Sequence, residues 1–179
     1  MEECNIQLIS LAGKTAEALI QKLKSLSLTL ALSESCTAGL VSALLAGIPG
    51  ASAVLWGSFV CYTKEAKVSM LGLDCDRLTA NGLVSEETAR AMAVGALRKS
   101  GASMAASVTG LAGPDGDGSD VPVGTVWIAT AAQDGQAGAK EFHFTGSRDE
   151  IRIRAAAAVL ETLLNSLTQK DKKYTMGVS

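Results

Sequence analysis

Residues 28–47 have the sequence Leu-Thr-Leu-Ala-Leu-Ser-Glu-Ser-Cys-Thr-Ala-Gly-Leu-Val-Ser-Ala-Leu-Leu-Ala-Gly, and this stretch decides the fold. Leucines alternate with small or polar residues in its first part, which predicts a β-strand, whereas the apolar run 40–45 ending at Gly47 predicts a helix. The polar segment 33–39 between them is therefore predicted to form a strand-to-helix turn. At such a turn the first N–H groups of the helix have no partner within the helix, so they favour an anion.

The side chains of this turn are the first candidates for a functional site. Ser35 and Thr37 supply hydroxyl groups. Glu34 supplies a carboxylate, and Gly39 leaves room for a ligand. A Ser or Thr at the start of a helix can equally be an N-cap without a chemical role, so this alternative stays open. Cys36 is a competing nucleophile, because an exposed thiol is intrinsically more reactive than a hydroxyl group.

The composition is typical of a globular chain that binds neither nucleic acid nor a membrane. Its 179 residues suffice for one domain, predicted over residues 1–168, followed by a polar, disordered tail at 169–179. Charged residues make up 19% of the chain and the net charge is −2, so a basic surface that neutralises a polynucleotide is not expected. No apolar run approaches the roughly 18 residues of a membrane-spanning helix.

The cysteine and histidine content argues against disulfides and metals. The four cysteines, at positions 4, 36, 61 and 75, have no C-x-x-C spacing and follow no signal peptide, which predicts reduced thiols in the cytoplasm. His143 is the single histidine, so a His-rich metal site is not expected. A structural metal is therefore not predicted.

The rest of the pattern predicts an α/β fold with three layers, α/β/α, and a mixed, mostly parallel sheet. The last two predicted strands can pair as a hairpin, which makes the sheet mixed rather than fully parallel. Simple alternation in the second strand places Trp56 on one face with Ser58 and Val60. The predicted order is helix (5–26), strand (28–32), helix (40–47), strand (53–63), helical turns (64–71 and within a polar connection at 74–82), helix (85–101), strands (103–108, 124–132, 139–144) and helix (147–167).

Two further segments carry functional groups after a predicted strand. The glycine-rich loop 110–119 offers unhindered N–H groups that suit a phosphate, although a flexible hairpin loop is an equal alternative. Lys64 and Lys67 follow the strand that ends near Tyr62, and a desolvated lysine can accept the proton of a serine hydroxyl. Solvated lysines and a packed strand tyrosine are the simpler alternatives. His143 alternates with two phenylalanines and should face solvent, so it is a poor candidate for the base.

These motifs resemble those of the CinA C-terminal domain family, which includes stand-alone nicotinamide mononucleotide deamidases. The resemblance covers residues 30–164, and the number of motifs in the same order makes it specific. The motifs are Glu34-Ser35-Cys36-Thr37, Gly39-Leu40, Ile48-Pro49-Gly50, the segment 57–62, Glu65-Ala66-Lys67, Val84-Ser85-Glu86, Thr109-Gly110, Ala112-Gly113-Pro114-Asp115-Gly116 and Pro122-Val123-Gly124-Thr125-Val126-Trp127.

The resemblance implies an amidase that hydrolyses the carboxamide of nicotinamide mononucleotide to nicotinate mononucleotide and ammonia, in pyridine nucleotide recycling. It implies no cofactor, and together with exposed apolar residues it predicts a homodimer. In this reaction Ser35 would attack the amide carbon and neutral Lys67 would accept the hydroxyl proton. Tyr62 would relay or donate a proton to the leaving ammonia.

Substrate-binding residues are also implied by the resemblance. The nucleotide phosphate would lie against Thr109, Gly110 and Gly113. Arg148, at the start of the last helix, would supply the opposite charge. The turn residues Glu34, Cys36, Thr37 and Gly39 complete the predicted substrate-binding set, and backbone N–H groups near Cys36 and Thr37 would stabilise the oxyanion.

The sequence departs from the usual motifs at four positions. Ala38 stands where the family usually has glycine, Thr63-Lys64 where it has serine-asparagine, and Ser33 where it has alanine. Ala38 could narrow the turn, and Lys64 adds a second amine, so the choice between Lys64 and Lys67 as base stays open. Two other functions also stay open: a regulatory module linked to competence or DNA damage, and an amidase that acts on a different nucleotide.

Overall fold

Helices and strands alternate along most of the chain. The computed structural model describes the backbone of residues 2–176 and, within it, the side chains of residues 3 and 5–168. The elements are α1 (Glu2–Ser25), β1 (Leu30–Glu34), α2 (Leu40–Ala46), a 3-10 turn (Ala51–Ala53), β2 (Leu55–Val60), α3 (Lys64–Leu71), α4 (Cys75–Asn81), α5 (Glu86–Ser100), β3 (Met104–Gly110), β4 (Thr125–Ala132), β5 (Ala137–His143) and α6 (Arg148–Met176).

The strands form one five-stranded sheet in the order β2-β1-β3-β4-β5. The central strand pairings of β1 with β2 and with β3 are parallel. The pairings of β3 with β4 and of β4 with β5 are antiparallel, and the second of these is the predicted hairpin. The prediction of a mixed sheet in an α/β fold is therefore confirmed.

Different helices cover the two faces of the sheet. Leu30 and Leu32 of β1 belong to the large apolar core that α1, α2 and α6 build on one face. Ala31 and Ala105 point to the other face and pack with α3, α4 and α5. Because side chains alternate along a strand, β1 presents leucines to one layer and small residues to the other. The three-layer α/β/α architecture predicted from the sequence is confirmed.

One local prediction is too short and another is wrong. The polar connection 74–82, predicted to hold a helical turn, contains the helix α4, because Asp74 caps it by accepting hydrogen bonds from the N–H groups of Asp76 and Arg77 at 2.9 and 3.0 Å. The register between β1 and β2 shifts beside Trp56. The Trp56 ring therefore stacks on Phe59, with centroids 5.3 Å apart, instead of following simple alternation.

The chain ends differ in how far the structure describes them. Helix α6 continues through residue 176, so the backbone of the first part of the predicted polar tail is helical. Residues 177–179 of that tail, and residue 1, lie outside the described residues. Among residues 2–176, no helix has the length and apolar character to cross a membrane.

Candidate active site

The carboxyl ends of β1, β2 and β3 meet at one edge of the sheet and border a cavity of about 230 Å³. Parallel strands place their carboxyl ends on the same edge, which is where α/β proteins usually bind ligands. The cavity brings together the predicted turn, the lysine segment and the glycine-rich loop. Its lining residues are Ser35, Cys36, Tyr62, Lys67, Leu83, Val84, Thr109, Gly110, Leu111, Ala112, Gly113, Asp115, Gly116, Asp117 and Arg148.

Ser35 is the first residue after β1 and lies on the wall of this cavity with 8% of its surface exposed. The Ser35 N–H donates to the Val108 carbonyl of β3 at 3.0 Å. The carbonyl of the preceding residue, Glu34, accepts from the Cys61 N–H at 2.8 Å. The peptide group between Glu34 and Ser35 is thus hydrogen-bonded to both neighbouring strands, which restricts the position of the serine hydroxyl.

Lys67 places its amine against the Ser35 hydroxyl. Thr63 caps α3 by accepting from the Ala66 N–H at 3.2 Å, and Lys67 follows one turn later. Its Nζ lies 2.9 Å from Ser35 Oγ and 2.9 Å from the Cys61 carbonyl oxygen, to which it donates. Only 1% of Lys67 is exposed, and burial holds the pKa of its amine below the ordinary value of 10.5. A neutral amine at this position can accept the serine proton.

The other two candidate bases lie elsewhere. Lys64 Nζ donates to the Thr79 hydroxyl on α4, away from the cavity. His143 is two-thirds exposed on β5, with its nearest carboxylate, Glu141, at 3.7 Å. The prediction that His143 faces solvent is confirmed. Of the two lysines, geometry favours Lys67.

Cys36 also lines the cavity, but its thiol is buried, with 6% of the residue exposed. Burial raises the pKa of the Cys36 thiol to about 12. The reactive form of cysteine is the thiolate, which is scarce at neutral pH when the pKa is so high. The structure therefore favours Ser35 over Cys36 as nucleophile.

Tyr62 and Arg148 stand at the mouth of the cavity. A capping box places Arg148 in the first turn of α6: the Ser147 N–H and hydroxyl donate to Glu150 Oε2 at 2.7 and 2.8 Å. The Arg148 guanidinium donates to the Tyr62 hydroxyl at 2.7 Å and to the Gly113 carbonyl. Arg148 therefore joins the two walls of the cavity, one from the β2–α3 segment and one from the glycine-rich loop.

Glu34, Thr37 and Gly39 do not line the cavity, in contrast to their predicted contact with substrate. Glu34 is fully buried, and its carboxylate occupies the N-terminus of α2. The anion expected at this helix start is thus a side chain of the protein itself. The five donors to the carboxylate are Thr37 Oγ1 (2.8 Å), the N–H groups of Gly39, Val41 and Ser42, and Ser58 Oγ (3.0 Å each).

The predicted phosphate-binding residues Thr109, Gly110 and Gly113 all line the cavity. The Thr109 hydroxyl donates to the Leu83 carbonyl at 2.8 Å, and the residue is 1% exposed, so this hydroxyl is already used within the protein. Gly110 has a structural reason to be glycine: a Cβ there would lie 2.6 Å from the Thr125 carbonyl oxygen of β4. The close approach of β3 to β4 thus shapes the start of this loop.

Sequence reasoning missed several residues that shape the site. Arg152 donates to the Thr37 carbonyl at 3.1 Å, and its position four residues after Arg148 put it on the same helix face. Ser58 reaches Glu34 from β2, which no sequence spacing indicates. Asp115 and Asp117 add carboxylates to the cavity lining. The acidic residues in the loop sequence could have indicated them.

The chain is similar in sequence to several known proteins. A relative from Geobacter metallireducens, named CinA-like protein, is 44% identical over 156 residues, which is 87% of this chain and 38% of that protein. The chain thus spans about two fifths of that relative. The nicotinamide-nucleotide amidohydrolase PncC of Escherichia coli K12 is 40% identical over 154 residues, covering 86% of this chain and 93% of that enzyme.

Several solved structures are also similar to this chain. The competence/damage inducible protein CihA of Agrobacterium tumefaciens has a TM-score of 0.84 and 40% identity, covering 88% of this chain and 96% of that one. A CinA superfamily protein of Escherichia coli has a TM-score of 0.83 and 31% identity, covering 86% and 88%. The family model of the CinA C-terminal domain matches residues 12–167. On these matches, the chain belongs to the CinA C-terminal domain family.

Proposed function

We propose that this chain is an amidase that hydrolyses nicotinamide mononucleotide to nicotinate mononucleotide and ammonia. One observation carries the proposal: the Lys67 amine lies 2.9 Å from the Ser35 hydroxyl at a buried cavity wall. The 40% identity to an enzyme named nicotinamide-nucleotide amidohydrolase, over 93% of its length, supports the choice of substrate. The reaction belongs to pyridine nucleotide recycling.

The first half of the reaction forms an acyl-enzyme. Ser35 Oγ attacks the carboxamide carbon while neutral Lys67 takes its proton. The oxygen of the tetrahedral intermediate is stabilised by the backbone N–H group of Cys36, which lines the cavity, a contribution on the order of 3 kcal/mol. The burial of Lys67 supports this role, because a buried amine without a carboxylate partner favours the neutral form that accepts a proton.

Tyr62 delivers the proton that the leaving group needs. Because Arg148 donates to the Tyr62 oxygen at 2.7 Å, the phenol accepts that bond and keeps its own hydrogen available. The phenol protonates the amide nitrogen as the C–N bond breaks, and the Lys67 ammonium returns a proton to Tyr62. Water then attacks the ester with Lys67 as base, which releases nicotinate mononucleotide and restores Ser35.

The nucleotide extends from the cavity towards Arg148. A volume of about 230 Å³ lies below the roughly 300–1,000 Å³ of most ligand pockets, so only the amide-bearing ring is enclosed. The phosphate lies at the mouth, against Arg148, Gly110 and Gly113. Asp115 and Asp117 also line the cavity, and their carboxylates repel the phosphate from their part of the loop.

The setting proposed for the enzyme is a cytoplasmic homodimer. Trp56 and Val60 are exposed on the edge strand β2, which supports contact with a second copy. The cysteines at positions 36, 61 and 75 are free thiols, which supports a reducing compartment. The alternative of a regulatory module is less well supported, since such a module has no need for a buried lysine against a serine.

The decisive experiment measures ammonia release from nicotinamide mononucleotide by the purified chain and two variants. Ser35→Ala should retain less than about 1% of the rate, because removal of a nucleophile abolishes the covalent route. Cys36→Ala should reduce the rate far less. If the serine variant stays active while the cysteine variant fails, the thiol is the nucleophile. Parallel assays with nicotinamide and the dinucleotide distinguish an amidase for a different substrate.

A further inference from the structure

Glu34 is the residue whose surroundings the catalytic proposal leaves unexplained. Its side chain has no exposed surface and lies outside the cavity, so it does not contact substrate. Five donors nevertheless converge on its two carboxylate oxygens within 3.0 Å. A buried carboxylate with so many partners holds their relative positions, because each donor would otherwise lose its hydrogen bond.

The five donors belong to three different segments around the nucleophile. Oε2 accepts from Thr37 and Gly39 in the turn and from Val41 in the first turn of α2. Oε1 accepts from Ser42 of α2 and from Ser58 of β2. Since Glu34 itself ends β1, the carboxylate ties a strand, a turn, a helix and a second strand into one unit.

Ser35 lies in the short segment of chain whose two ends are joined by the hydrogen bonds of the Glu34 carboxylate. The chain leaves Glu34, passes through Ser35 and returns to the same carboxylate at Thr37 and Gly39. Lys67 approaches from the other side, from α3, and forms no ion pair with Glu34 or with another carboxylate of the described residues. The carboxylate therefore fixes the serine without taking the lysine as its partner.

We propose that Glu34 is a positioning residue, which holds the turn of Ser35 so that its hydroxyl stays within hydrogen-bond distance of Lys67. This inference rests on the proposed function of the site. Glu34 touches neither substrate nor the reacting atoms and acts only through Ser35. Its loss should lower kcat and leave KM nearly unchanged, because the surface that binds substrate is kept.

The main variant is Glu34→Gln, which keeps the shape of the side chain. In either orientation the amide NH2 replaces one oxygen and faces donors, so one set of hydrogen bonds is lost. A displacement of the nucleophile by about 1 Å can reduce a rate 100-fold, so kcat should fall roughly 10- to 100-fold with KM within about threefold. Ser58→Ala removes a single donor and should lower kcat less.

A second readout does not depend on nicotinamide mononucleotide. Phenylmethylsulfonyl fluoride forms a bond between sulfur and Ser35 Oγ as fluoride leaves with the hydroxyl proton, and intact-mass spectrometry follows the labelling. The labelling rate should fall in parallel with kcat in Glu34→Gln. If the wild-type chain releases no ammonia, the proposed substrate is wrong, and this labelling still tests Glu34.

Ser107→Ala is the matched control. Ser107 is a fully buried residue of β3 that does not line the cavity, and its hydroxyl donates to the Ala89 carbonyl of α5 at 2.6 Å. This variant should lower the melting temperature while kcat and labelling stay within about twofold, since no catalytic group depends on it.

Two results would overturn the positioning role. One is a folded Glu34→Gln variant whose kcat and labelling rate, measured well below its melting temperature, match those of the wild type. The other is an equal loss of both rates in Ser107→Ala, because destabilisation alone would then explain the effect. If Glu34→Gln does not fold, Ser58→Ala decides: an unchanged kcat in that variant rejects the proposal.

Discussion

At the scale of single residues, Lys67 is the most unusual feature of the chain. It is 1% exposed and its amine contacts the Ser35 hydroxyl and a carbonyl oxygen instead of a carboxylate. Transfer of a charged amine from water into such a place is unfavourable, and the neutral amine avoids this penalty. In the proposed mechanism the neutral amine is the base, and its burial lowers the stability of the fold at pH values below 10.5, where an exposed lysine is charged.

We expect the free energy of unfolding of the wild type to rise with pH up to about pH 9, where the buried thiols of Cys36 and Cys61, with pKa values raised to about 12 and about 11, begin to oppose the rise. The cause of the rise is Lys67, whose ordinary pKa is 10.5. The folded pKa lies below that value, so over the interval between the two the unfolded chain binds more protons than the folded one. Stability increases with pH wherever this is so. Urea denaturation at a series of pH values measures the slope, which Lys67→Met should reduce.

Lys64→Met is the control for this prediction. Lys64 lies one turn earlier on α3 and its amine donates to Thr79 rather than entering the cavity. The variant should keep the wild-type slope. If Lys67→Met also keeps the wild-type slope, the prediction that burial lowers the pKa of the Lys67 amine is wrong.

At the scale of elements, local sequence was sufficient where one pattern dominates. The leucines of β1 and the capping serines 85 and 147 predicted their strand and helices, because alternation and caps act over a few residues. The register shift beside Trp56 and the contact of Ser58 with Glu34 depend on which strands become neighbours. Arg152 was not predicted for the same reason, because its partner Thr37 is 115 residues away in sequence.

The β1–α2 turn also carries a strained residue. Ala38 has a φ of 51°, a left-handed conformation that glycine adopts without steric penalty. Ala38→Gly should therefore stabilise the fold by about 1 kcal/mol. For a chain of this size the gain corresponds to a rise of roughly 2–4 °C in melting temperature, measurable by calorimetry.

The neighbouring Gly39 provides the reverse test. Its φ is 94°, and a Cβ there would meet nothing closer than Val60 Cγ2 at 3.7 Å. Gly39→Ala should thus lower the melting temperature through backbone strain alone. A fall in melting temperature for Ala38→Gly would show that relief of this strain is outweighed by the entropy of the unfolded glycine.

At the scale of the whole molecule, the described residues contain no group of three or more His, Cys, Asp or Glu side chains suited to a metal ion. The proposed chemistry instead obtains its base from Lys67. Dialysis against EDTA should therefore leave ammonia release unchanged. Metal analysis of the dialysed protein serves as the control, and a loss of activity that a divalent cation restores would contradict the expectation.

The site joins residues from distant parts of the sequence, because α6 brings Arg148 to Tyr62 and Arg152 to the turn of Ser35. A ribosome that has made β1 through β5 has therefore not yet supplied the guanidinium that contacts Tyr62 at the cavity mouth. Under the proposed mechanism, catalytic competence begins only once translation has passed α6. Fragments released earlier by stalled synthesis carry the serine and the lysine without this arginine.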